Sequence, residues 1–140
     1  MSVGIAHGRL HIRTSGESLT DVSGDVQRWL DQTRIATGTL SLFCRHTSAG
    51  LLISENADPS VQRDLLLWLD RSVPQGDRYE HDCEGPDDMP AHIKSVVTGD
   101  ALTVPFAAGR LLLGTWQAIY LAEFRGQSHQ REVVLTAIGE

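Results

Sequence analysis

The chain reads as an α+β protein with a mostly antiparallel, β-sandwich-like core and about three helices set between strands. Two observations predict this class. Short apolar runs with period-two alternation recur from Arg9 near the start to Ile138 near the end. Between them, three segments switch to the helical period, each opened by an acid or hydroxyl residue. The 140 residues carry no linker, low-complexity stretch or internal repeat, so residues 1–140 are read as one domain.

Arg9 to Thr14 is the first expected strand. Thr20-Asp21 opens a helix in which Val22, Val26, Trp29, Leu30 and Thr33 recur on one face. Thr39 to Arg45 alternates, with Leu40, Leu42 and Cys44 on the buried side, and Leu51 to Ser54 continues as a short strand. Asp58-Pro59 supplies an N-cap and a first-turn proline for a second helix, expected to turn Val61, Leu65, Trp68 and Leu69 inward. Val73 to Tyr79 is a loop. Asp88-Met89-Pro90 starts a third helix that ends at Gly99, with Ile93, Val96 and Val97 as its apolar stripe. Ala101 to Pro105, Leu111 to Phe124 (broken at Gly114) and Arg131 to Ile138 complete the strands.

Composition narrows the function. A hydrophobic fraction of 41% and a charged fraction of 21% are those of an ordinary soluble globular protein. The formal charge of −6 argues against nucleic-acid binding, which wants a basic face. No apolar run reaches the roughly 20 residues needed to cross a bilayer, and the first fifteen residues carry His and Arg where a signal peptide has an apolar core. A cytoplasmic location is expected, with Cys44 and Cys83 as free thiols.

The chemistry concentrates between Tyr79 and Ser95, in the run Y-E-H-D-C-E-G-P-D-D-M-P-A-H-I-K-S. It holds His81, His92, Glu84, Asp87, Asp88 and the only lysine of the chain, Lys94. Imidazoles and carboxylates are the usual ligands of catalytic zinc and the usual general acids and bases. A plainer reading makes Asp87 and Asp88 helix-capping acids, which explains the aspartates well and the histidines poorly. Upstream, Arg45-His46-Thr47-Ser48-Ala49-Gly50 places His46 at the end of a strand, ahead of hydroxyls and backbone N–H groups suited to an anion. The His81–His92 spacing fits none of the compact metal signatures, but a trio of His46, His81 and His92 with Glu84 nearby would match the open three-ligand pattern of catalytic metal sites. Lys94 and Ser95, near a helix N-terminus, suit phosphate, although an exposed solvating lysine fits equally. Trp116 and Gln117 suggest a stacking surface with an amide beside it, or else core packing at a bulge. His7, His11 and His129 are read as surface residues.

Five ordered motifs carry a family likeness: H-T-S-A-G at His46, S-E-N-A-D-P at Ser54, Y-E-H-D-C-E-G at Tyr79, A-H-I-K-S at Ala91 and G-T-W-Q-A-I-Y at Gly114. Together they resemble the YjbQ-type family, often described as secondary thiamine-phosphate synthases. The resemblance implies a homotrimer with a polar, metal-binding site near subunit boundaries. It also implies joining of a hydroxymethylpyrimidine diphosphate to a thiazole phosphate, aided by a divalent metal (zinc or magnesium). Carried over by motif, His46, His81 and His92 become metal ligands and Glu84 a base or further ligand. Ser48, Asn56, Trp116 and Gln117 line the substrate pocket. In such a reaction Lys94 is the expected catalytic cation, holding phosphate oxygens with Ser48, and Thr47 and Ser95 add hydroxyl donors to the substrate. One stretch departs from the pattern. Where many relatives follow the strand's Glu and aromatic with Asp-Gly and a basic run, this chain has Glu123-Phe124-Arg125-Gly126-Gln127. Metal-dependent hydrolysis of a small phosphorylated or amide substrate, or a trimeric small-anion-binding module, are the alternative functions.

Overall fold

A computed structural model describes residues 2–140. In chain order its elements are β1 (Gly4–Ser15), β2 (Ser18–Asp21), α1 (Ser23–Thr33), β3 (Gly38–Cys44), β4 (Ala49–Glu55) and α2 (Pro59–Ser72). There follow α3 (Asp88–Thr98), β5 (Ala101–Ala107), β6 (Arg110–Leu111), β7 (Gln117–Glu123) and β8 (Ser128–Gly139). The strands form a five-stranded sheet in the order β1-β8-β3-β5-β6 and a three-stranded sheet in the order β2-β7-β4. Every pairing between them is antiparallel. The expected α+β class with three helices is what the chain adopts.

Alternation explains why the two sheets face each other. Leu40, Leu42 and Cys44 of β3 are buried while Thr39, Ser41 and Phe43 are exposed, as the sequence predicts. They join Val133 and Leu135 of β8, Val104 of β5, Leu51 of β4 and Ile119 and Leu121 of β7 in one core, closed on one side by Val26 and Leu30 of α1. No helix among the described residues is long and apolar enough to cross a membrane.

The differences from expectation have local causes. Thr20-Asp21 does not begin a helix; it ends β2, and the Asp21 carboxylate accepts the Ser23 N–H that leads into α1 (2.9 Å). Residues 112–116 leave the sheet, so the expected Leu111–Phe124 strand is reduced to β6 and β7. The α2 cap is as predicted, with Asp58 accepting the Ser60 N–H behind Pro59. Trp68, expected inward, is 61% exposed, and Leu69 alone of that helix is fully packed.

The largest correction lies in α3. Its apolar stripe faces out, Val96 being 83% and Val97 57% exposed, while Lys94 and Ser95 face in. Polar anchoring decides this orientation. Ser95 Oγ donates to the Ala49 carbonyl (2.6 Å), and Leu51 N–H donates to the Gly99 carbonyl (3.0 Å), fastening α3 along β4. Gly50 allows the approach: a Cβ there would lie 2.4 Å from Thr98 Oγ1 and 2.8 Å from the Gly99 oxygen.

Candidate metal centre

Docked this way, α3 presents its first turns to the loop that follows β3. Asp88 and His92 are four residues apart and share one helix face. The Asp88 Oδ2 atom lies 3.2 Å from His92 Nε2 and 2.8 Å from His81 Nε2, the latter arriving from the segment between α2 and α3. The two rings are tilted at 54° with centroids 5.5 Å apart. One donor atom from each of His81, Asp88 and His92 falls within 4.8 Å of the others.

The tautomer of His92 gives this group its meaning. Its Nδ1–H donates to the Thr47 carbonyl (2.8 Å), so in the neutral ring Nε2 is a bare lone pair. That lone pair faces a carboxylate oxygen, and two acceptors so placed call for a proton or a cation between them. Asp88 is nearly sealed from solvent, at 1% exposed. Burial by itself would raise its pKa, but the hydrogen bond shared with His81 and the Arg125 guanidinium outweigh it and hold the carboxyl below its usual range. The donor is therefore ionised, as a metal ligand must be. Two imidazoles with one carboxylate oxygen suit zinc and similar transition metals better than magnesium, which prefers oxygen throughout.

Residues 8–140 match the family described as "UPF0047 protein YjbQ-like". The chain belongs to that family.

The UPF0047 protein of Synechocystis sp. is 46% identical over 132 residues, covering 94% of this chain and 90% of its own length. UPF0047 protein YjbQ of Salmonella typhimurium is 48% identical over 106 residues, 76% of this chain and 77% of that one. A solved YjbQ/UPF0047 structure from Clostridium acetobutylicum superposes with a TM-score of 0.86 at 37% identity, covering 92% of this chain and 98% of the other.

Within this YjbQ-like chain the expected site residues separate into distinct places. His81 and His92 come together as expected. His46 does not join their donor group: its Nε2 accepts the Glu132 N–H (2.8 Å), leaving Nδ1 as the protonated nitrogen of a neutral ring. Burial, then the nearby Arg131 guanidinium, lowers the His46 pKa and keeps it neutral. It still lines a cleft of about 380 Å³ with Thr47, His92 and Ser95. A second cleft, of about 540 Å³, is lined by His81 with Arg78, Tyr79 and Met89. Ser48, in the same loop as His46, is buried, its hydroxyl accepting from Arg131 Nη2 (3.0 Å).

Three expectations are corrected. Lys94 is interior, with Nζ 2.5 Å from Asp70 Oδ1 and 3.3 Å from Glu17 Oε2, so it is spent on an internal ion cluster and does not reach a phosphate. The Glu84 side chain is exposed, and only its carbonyl enters the site, accepting from Arg125 Nη2 (3.0 Å). Asn56, Trp116 and Gln117 cluster at the far end of β4 and β7, six residues along from the Ala49–Glu123 pair. That is about 20 Å at strand spacing. Within one chain they do not border the histidines.

Asp88 is the donor that sequence reading assigned to capping. The Asp87 side chain makes no cap hydrogen bond, and Asp88 points into the site. Its signal was present in the D-x-x-x-H spacing at the head of a helix.

Proposed function

We propose that this protein is a metal-assisted enzyme acting on a small phosphorylated substrate at the His81–Asp88–His92 group. The observation that carries the reading is the convergence of His92 Nε2 and His81 Nε2 on the buried Asp88 Oδ2, with the other His92 nitrogen taken by the Thr47 carbonyl. When bound, a divalent cation supplies neutralisation of the charge that builds on a departing phosphate. The chain's own groups do the rest. Asp88 and the two imidazoles hold the ion, and Thr47 keeps His92 in the ligating tautomer. His46, held neutral by the Glu132 N–H, turns its Nδ1–H to a substrate oxygen.

The reaction implied by the family likeness is condensation of a hydroxymethylpyrimidine diphosphate with a thiazole phosphate. Incubation of metal-loaded protein with both precursors should yield thiamine phosphate, and His92→Ala should abolish the yield. Loaded protein that gives no product at high enzyme concentration removes this reaction. Hydrolysis of a phosphate ester or amide is the second reading, favoured by the imidazole-rich donor set. A phosphatase and amidase substrate panel separates the two. The trimer implied by the likeness belongs to the same proposal. It would cover the exposed Trp68, Val96 and Val97, and light scattering tests it.

A further inference from the structure

The guanidinium of Arg125 makes three separate contacts around the metal-binding group. Nη1 donates to Asp88 Oδ1 (2.6 Å), Nε to Asp87 Oδ2 (3.1 Å) and Nη2 to the Glu84 carbonyl (3.0 Å). Asp87 Oδ2 also accepts the Gly126 N–H (2.7 Å). The arginine is fixed at its root as well. Its own N–H donates to Glu123 Oε2 (3.1 Å), and Glu123 is in turn pinned by Arg131 and Thr14 inside the core. A planar fork so anchored is a rigid template for its acceptors.

These contacts have two consequences for the donors. Asp88 Oδ1 is already occupied, so the carboxylate offers a cation only Oδ2, the oxygen turned to the two imidazoles. His81 lies in the segment 73–87, which forms neither helix nor strand. The Glu84 carbonyl ties that segment to the end of β7 three residues beyond His81. One side chain thus restricts one ligand to a single oxygen and holds the loop that carries another.

We propose that Arg125 is a positioning residue of the metal centre, setting single-oxygen donation by Asp88 and the placement of His81. The proposal rests on the metal-binding reading above. Electrostatics alone would predict the opposite sign, because a cation beside a metal site repels the ion. Here that charge is already matched by Asp87 and Asp88, so geometry is the larger effect.

Cobalt(II) titration followed by visible absorption, on the wild-type protein, Arg125→Ala and Arg125→Lys, tests this. The wild type should bind one cobalt per chain with a visible spectrum that His92→Ala loses. Arg125→Ala should bind about tenfold more weakly or worse. Its absorption should also change in intensity, as Asp88 becomes free to offer both oxygens. Arg125→Lys should not restore the spectrum, since an ammonium cannot span three acceptors in one plane. A wild-type spectrum and affinity in both variants would overturn the role of Arg125 while leaving the metal reading intact. Tighter binding by Arg125→Ala would overturn it too, showing the guanidinium to be only a rival charge. Wild-type protein that binds no cobalt would remove the metal reading itself, and the proposal with it. Circular dichroism on each variant confirms that folded chains are being compared.

Discussion

Asp88 and His92 stand one turn apart on α3, and the carboxylate Oδ2 of the first lies 3.2 Å from the imidazole Nε2 of the second. Each is held from behind. Arg125 takes the other Asp88 oxygen, and the Thr47 carbonyl takes the other His92 nitrogen. The atoms turned towards each other are therefore the ones left to bind.

Histidine roles divide on this basis. His92→Ala should abolish stoichiometric metal binding measured on protein purified without chelators or a histidine tag. His46→Ala should keep the metal within about twofold, because His46 spends its Nε2 on the Glu132 N–H. Its loss should appear instead in turnover, by about 10²–10³-fold for a missing oxyanion donor. Equal metal loss in both variants would return His46 to the ligand set.

Lys94 should matter to stability and not to substrate. Removing it strands Glu17 and Asp70 around the Lys94 cavity, and a broken buried pair costs about 3–5 kcal/mol. Asp70 is half exposed, which screens its share, so Lys94→Ala should lose about 2–3 kcal/mol in urea unfolding. Metal stoichiometry should be unchanged.

Glu17 gives stability a pH dependence near neutrality. Burial first, then a hydrogen bond with Asp70, raises its pKa from 4.5 to about 7 against the pull of Lys94. A raised carboxyl pKa means that the folded chain binds the proton more tightly than the unfolded one. Its stabilising contribution is full below about 4.5 and is lost as pH rises through about 7. Glu17→Gln keeps the neutral form at every pH. Its Tm relative to wild type should rise between about pH 5 and pH 8; a constant difference would refute the assignment.

The Glu123–Arg131 pair acts in the other direction. Burial would raise Glu123, but hydrogen bonds from Arg131 and Thr14 outweigh it and depress the pKa. That contribution is present above the usual glutamate range and is lost as pH falls through the folded value. Arg131→Met leaves a buried carboxylate without its partner and should cost about 3–5 kcal/mol. It should also loosen the His46 loop, whose Ser48 carbonyl and hydroxyl Arg131 holds. Denaturant midpoints measured across acid pH check both effects.

What the sequence determined by itself was whatever depends on neighbours along the chain. Alternation at Thr39–Cys44 marked a strand and its buried face, and Asp58-Pro59 marked the start of α2. The motifs marked the family and placed His81 and His92 in the site. Tertiary structure decided the rest, because long-range partners override local pattern. The apolar positions of α3 point outwards because Ser95 and Gly50 fasten its polar side to β4. Lys94 is interior because Asp70 and Glu17 meet it there from residues distant in sequence. Asp88 became a donor and Arg125 its support through contacts across 37 residues, a separation at which no periodicity carries information. Trp116 and the histidines were linked by motif alone, and the length of β4 separates them within the chain.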